Sequence, residues 1–191
     1  MNILVMTIAR SGSSMVTSIF AAHGFNTSRG HRGRLIDGSK YWTFEDVKLK
    51  DYYRDNRIVK PGDLTSFHTF VNREKLKRVI SGLPEPWIIK TGVEKWPLFK
   101  NLPCVVVKVR RRPKHIARSM AAKKGEKFDY VYPLIVGKQE LFNEVPGHSV
   151  YSEDIIAGDF SSLEPVFSEL GMVFNLSKAQ ECVDPTMWHY K

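Results

Sequence analysis

The feature that most restricts the fold lies at the start of the chain. A mostly apolar run, Asn2 to Ile8, breaks at Ala9-Arg10-Ser11-Gly12-Ser13-Ser14. Apolar residues then recur at helical spacing, at Met15, Val16, Ile19, Phe20 and Ala22. This is a strand, a turn of small residues and a helix, with Gly24 placed to close the helix as a left-handed cap. A strand that is apolar on both faces must be covered on both faces, which a parallel sheet between two helical layers provides. Ligands of such sheets bind beyond the carboxyl ends of the strands, so the turn at Arg10 faces the ligand side.

Further units repeat the alternation. Trp87-Ile88-Ile89-Lys90 runs into a turn at Gly92, and Cys104 to Val109 is almost continuously β-branched. Pro113 opens a helix through Ala117, Met120 and Ala121, at a first-turn position that tolerates proline. Val150-Tyr151 is a further strand, and a last helix runs from about Ser162 through Val166, Phe167 and Leu170 to Gly171. With 191 residues and no internal repeat, the expectation is one α/β domain over residues 1–191, with a central, mostly parallel sheet flanked by helices. Ser28 to Arg34, with three arginines and two glycines, has no apolar period; it reads as a solvated loop, or as a flap over an acidic ligand. Phe128 to Val145 shows no readable pattern.

Charge sharpens the ligand. Lysine and arginine number 29 against 20 acids, a formal net charge of +9. Eight of the basic residues, Lys108, Arg110, Arg111, Arg112, Lys114, Arg118, Lys123 and Lys124, fall in one acid-free stretch, leaving +1 for the rest. A nucleic-acid binder spreads its charge along a face. Concentration at one strand-to-helix turn suits a small, multiply phosphorylated ligand instead. Cys104 and Cys182 have neither metal nor redox spacing, so a reducing, cytoplasmic setting without a metal is expected. No apolar run approaches the ~18–20 residues of a membrane span, and Ile3 to Ile8 is too short for a signal peptide.

In Arg10-Ser11-Gly12-Ser13-Ser14, turn N–H groups, the helix N-terminus and hydroxyls converge on one anion, and Arg10 adds a fixed charge. This is not a nucleotide-kinase loop, which needs Gly, four residues, then Gly-Lys-Ser/Thr. Instead, Ile8 to Val16 resembles the 5′-phosphosulfate loop of sulfotransferases that use 3′-phosphoadenosine 5′-phosphosulfate (PAPS), with Ser13 in place of the usual threonine. Val107 to Met120 resembles the same family's second motif, a strand ending at Arg-x-Pro with a serine six residues after the proline. The resemblance gives the 5′ end to Arg10, Ser11, Gly12, Ser13 and Ser14, and the 3′-phosphate to Ser119 and Arg111, with Arg110 left as an alternative. It implies a P-loop-like fold, closer to bacterial than to cytosolic members. Two anion sites on one sheet suit a nucleotide phosphorylated at both ends.

The resemblance extends to the catalytic groups. Trp87 to Thr91 is similar to the family strand whose lysine contacts the sulfonate, which makes Lys90 the group that stabilises charge on the bridging oxygen. In cytosolic members a catalytic histidine follows Lys-Thr; here Gly92 does. Tyr41-Trp42-Thr43-Phe44-Glu45-Asp46 resembles a bacterial segment whose glutamate acts on the acceptor, so Glu45 is the expected base, with His68 in reserve and Glu94 as a further candidate. Tyr151-Ser152-Glu153-Asp154 and Val183-Asp184-Pro185 resemble later family segments, with Glu153 and Asp154 read as structural. The implied activity is sulfuryl transfer from PAPS to a hydroxyl or amine of a small-molecule or carbohydrate acceptor. A P-loop small-molecule kinase and a basic nucleic-acid-binding module without catalysis are the alternatives.

Overall fold

The structure, a computed structural model, describes residues 1–27, 30–34, 40–46 and 73–184, with the backbone alone for 30–34, 40–46 and 73–75. Its centre is β1, Asn2–Thr7, whose side chains divide cleanly by parity. Leu4 and Met6 enter one core, while Ile3 and Val5 enter the other. β5 (Trp87–Gly92) and β6 (Cys104–Arg110) pair parallel with β1 on either side. β2 (Asn26–Thr27) and β7 (His148–Tyr151) complete an all-parallel sheet of order β2-β5-β1-β6-β7.

Helices cover both faces. On one lie α1 (Ser13–Ala22), α6 (Ser152–Ile156), α7 (Glu164–Glu169) and α8 (Leu176–Glu181), through Val16, Phe20, Ile155, Phe167 and Ala179. On the other lie α2 (Arg73–Ser81), α3 (Trp96–Phe99), α4 (Pro113–Lys124) and α5 (Phe128–Glu140), through Leu76, Phe99, Ile116, Val131 and Ile135. The expected α/β architecture is therefore present. Gly24, at φ +99°, ends α1 as expected: its N–H meets Ala21 O and the next N–H returns to Phe20 O.

Two segments differ from expectation. Gly30–Arg34 is a strand, β3, not a loop; it pairs antiparallel with β4, Lys40–Asp46, with an irregularity between Gly30 and Arg32. Cross-strand backbone bonds supply the order that its polar, glycine-containing composition does not advertise. Residues 128–140, unreadable in sequence, form α5 despite Pro133 within it. Only Val131 and Ile135 of that helix are fully buried, whereas Tyr130, Tyr132 and Leu134 are exposed, which erases the apolar period.

The chain leaves β1 through α1 on one face and β6 through α4 on the other. Neighbouring parallel strands whose helices diverge in this way open a crevice at their carboxyl ends. The turns after β1 and β6, at Arg10 and Arg111, border it.

Candidate functional site

The first wall of the crevice is the turn after β1. Thr7 and Ser11 are buried and share a hydrogen bond of 2.7 Å between their hydroxyls, which pins the turn to the strand end. Gly12 adopts φ 84° at the helix start, a left-handed conformation that costs an L-residue roughly 1–2 kcal/mol. The N-cap residue, Gly12, has no side chain with which to cap the first turn of α1. A helix start without a side-chain cap suits an anion, because the ligand satisfies the N–H groups. Arg10 also has a left-handed backbone, at φ 70°.

The second wall is the turn after β6. Arg111 is buried, at 6 % exposure, and donates from Nη1 to the Arg10 carbonyl at 3.0 Å. Arg10 in turn donates from Nε to Ser119 Oγ on α4 at 2.9 Å, and Ser119 is buried as well. The two motifs thus meet, and three of the residues assigned to the nucleotide form one connected group. Burial lowers the Arg111 pKa to about 10, with Arg10 adding repulsion and Glu153 opposing both. A cation held partly desolvated beside another cation gains most from an anion arriving between them.

Arg110, the alternative to Arg111, points elsewhere. Its Nε donates to Ser149 Oγ at 3.2 Å and its guanidinium lies 5.1 Å from the centre of the Phe142 ring. Phe142 is itself fully buried and packs in the core under α4 and α5.

Two contacts hold the second turn that sequence reasoning missed. Gln139 Nε2, from α5, donates to the Arg111 carbonyl at 2.8 Å. Glu153, at the start of α6, accepts from the Arg112 N–H at 3.2 Å and also bonds His115 Nδ1. Glu153 is structural, as read from sequence. Gln139 carried no signal because its helix was not visible.

Lys90 supplies a third component. It is buried at the end of β5, and its ammonium donates to Ser14 Oγ on α1 at 3.0 Å. Strand and helix start therefore present a lysine, a hydroxyl and backbone N–H groups together. Glu45 belongs to β4, whose backbone comes close to β5 and α1; its side chain lies outside the described residues, and His68 lies outside them entirely.

The basic stretch from Lys108 to Lys124 divides on folding. Arg112, Lys114, Arg118, Lys123 and Lys124 are exposed, and Arg111 alone is buried. Lys108 donates to the Val145 carbonyl at 2.8 Å, and burial, with Arg110 nearby, lowers its pKa. The site is thus less cationic than the sequence count. Among the described residues no group of three or more His, Cys, Asp or Glu side chains is arranged to hold a metal, and no helix is long and apolar enough to cross a membrane.

No family model matches the chain, and no curated protein matches it in sequence. Solved structures do match. The sulfotransferase domain of the Synechococcus PCC 7002 olefin synthase superposes with a TM-score of 0.52 at 12% identity, over 100% of this chain and 82% of that one. Sulfotransferase STF9 from Mycobacterium avium gives a TM-score of 0.54 at 11% identity, over 95% of this chain and 66% of that one. With a five-stranded parallel sheet, helices on both faces and the two turns meeting at Arg10, the chain has the fold of bacterial sulfotransferase domains.

Proposed function

We propose that this protein transfers a sulfuryl group from PAPS to a hydroxyl or amine acceptor, leaving adenosine 3′,5′-bisphosphate. The observation that carries the proposal is the meeting of Arg10, Arg111 and Ser119 at one end of the crevice, with Lys90 and Ser14 beside the α1 start. Two anion-ready groups on adjacent strand ends suit a nucleotide phosphorylated at 5′ and 3′. In this reading the Ser11–Ser14 turn and Arg10 hold the 5′ end, and Arg111 with Ser119 holds the 3′-phosphate. Lys90 donates to the bridging oxygen as the sulfur–oxygen bond breaks, the point where negative charge develops. In-line placement and these fixed charges supply the catalysis. For the acceptor's base the resemblance offers Glu45, with His68 in reserve, and unchanged turnover in Glu45→Gln removes it. The acceptor is a small molecule or carbohydrate, and free thiols at Cys104 and Cys182 suit a reducing, cytoplasmic setting.

One observation favours a kinase as the second reading: Lys90 brings to the α1 start a lysine that the loop itself lacks. Thermal shift separates the readings. Adenosine 3′,5′-bisphosphate at 100 times its Kd is expected to stabilise the protein by about 2.7 kcal/mol, and ATP with magnesium much less. Stabilisation by ATP with magnesium alone overturns the proposal. Preferential binding of single-stranded RNA, with a salt slope reporting many phosphates, would favour a nucleic-acid module.

A further inference from the structure

We infer that Glu94 is the group that takes the proton from the acceptor, an inference that rests on the transfer reaction proposed above. Side chains alternate along β5: Ile89 enters the core under α4 and α5, while Ile88 enters the core under α1. Lys90 and position 92 therefore project on the α1 face. Lys90 does so visibly, through its bond to Ser14. Position 92 is glycine, and the space a side chain there would fill is already taken. A Cβ added to Gly92 would fall on the Glu94 carboxylate, 2.6 Å from both Cδ and Oε2. The turn Val93–Lys95 makes this possible: Val93 anchors in the opposite core, and the chain folds back so that Glu94 covers the end of β5.

The carboxylate thus shares the face of Lys90, one two-residue step, about 7 Å, further along the strand. Gly92 stands opposite Thr7 in the sheet, directly beside the turn that carries Arg10. The Glu94 side chain is 23 % exposed, and its ion pair with Lys95, at 3.8 Å, is too long to be a hydrogen bond. Among the described residues its oxygens make no hydrogen bond, so they can accept one from a third group. With the sulfuryl group at Lys90 and Ser14, an acceptor hydroxyl seated at Gly92 has the Glu94 carboxylate beside it. Its proton passes to Glu94 while its oxygen bonds to sulfur. The sulfur–oxygen bond to the 5′-phosphate breaks, its electron pair stays on the bridging oxygen, and Lys90 donates a hydrogen bond there. Glu94 then returns the proton to solvent.

Water is an acceptor of known identity and is always present, so the test needs no other. Release of inorganic sulfate from radiolabelled PAPS is followed beside calorimetric binding of adenosine 3′,5′-bisphosphate. The wild type is expected to release sulfate faster than the protein-free control. Glu94→Gln should lower that rate about 100-fold or more, the usual weight of a general base, while binding stays within twofold. Gly92→Ala, which pushes the carboxylate aside, should act the same way if Glu94→Gln does not fold. Release at the wild-type rate in both variants overturns the inference, as does a wild type that binds the bisphosphate but releases no sulfate. Loss of release in Glu45→Gln but not in Glu94→Gln overturns it too. A wild type that fails to bind the bisphosphate overturns the transfer reading itself, and the binding arm reports that separately.

Discussion

Arg111 and Arg110 are adjacent in sequence and opposite in fate, and that difference decides which reaches the crevice. Sequence spacing left both open, because a strand end does not say which of two successive side chains turns inward. Arg110 continues the strand and packs on Phe142, while Arg111 turns into the gap beside Arg10. Losing a charge-assisted pair to phosphate is worth about 1.5–3 kcal/mol. Arg111→Ala is therefore expected to weaken adenosine 3′,5′-bisphosphate roughly 10- to 100-fold and adenosine 5′-monophosphate by a clearly smaller factor, both read by calorimetry. Burial lowers the Arg111 pKa, yet a guanidinium keeps its charge across the working range, so bisphosphate affinity should be flat from about pH 7 to 9 in the same titration. A buried cation costs the folded state stability wherever both states are charged, and that cost is relieved only as pH rises above the lowered folded value.

Single elements position these residues, and they were unequally legible. β1, α1, β5, β6 and α4 could be read because strand and helix periods, Gly24 and Pro113 all agree locally. α5 could not, because Pro133, Gly137 and an exposed tyrosine pair obscure a period that only Val131 and Ile135 keep. Yet α5 supplies Gln139, so part of the site's support was invisible with it. Gln139→Ala is expected to free the Arg111 carbonyl and weaken bisphosphate binding several-fold, the scale of one hydrogen bond. For α1 the sensitive point is Gly12. Gly12→Ala should destabilise the protein by roughly 1–2 kcal/mol and lower Tm by a few degrees in a thermal melt, since φ 84° disfavours any Cβ.

At the scale of the molecule, net charge misleads about where a ligand sits. A count of +9 with eight basic residues in one stretch suggests a single strongly cationic site, yet five of the eight are exposed, four of them along α4. Sequence order could not reveal this, because a helix sends successive residues to different sides. Replacing Lys114, Arg118, Lys123 and Lys124 together by serine should therefore leave adenosine 3′,5′-bisphosphate affinity within about threefold at 150 mM salt, where exposed charges are screened beyond about 8 Å. A loss of 30-fold or more in the same titration would place the ligand on the α4 surface instead.

The bond from Arg111 to the Arg10 carbonyl, across 101 residues of chain, has one more consequence. Together with the Arg10–Ser119 bond it makes two distant motifs a single mechanical part. Removing either arginine already disturbs what the other was holding, so the second removal has less left to take away. The losses of Arg10→Ala and Arg111→Ala should therefore fail to add: the double variant should bind more tightly than the product of the two single defects implies, by about 0.5–3 kcal/mol of interaction energy in a double-mutant cycle.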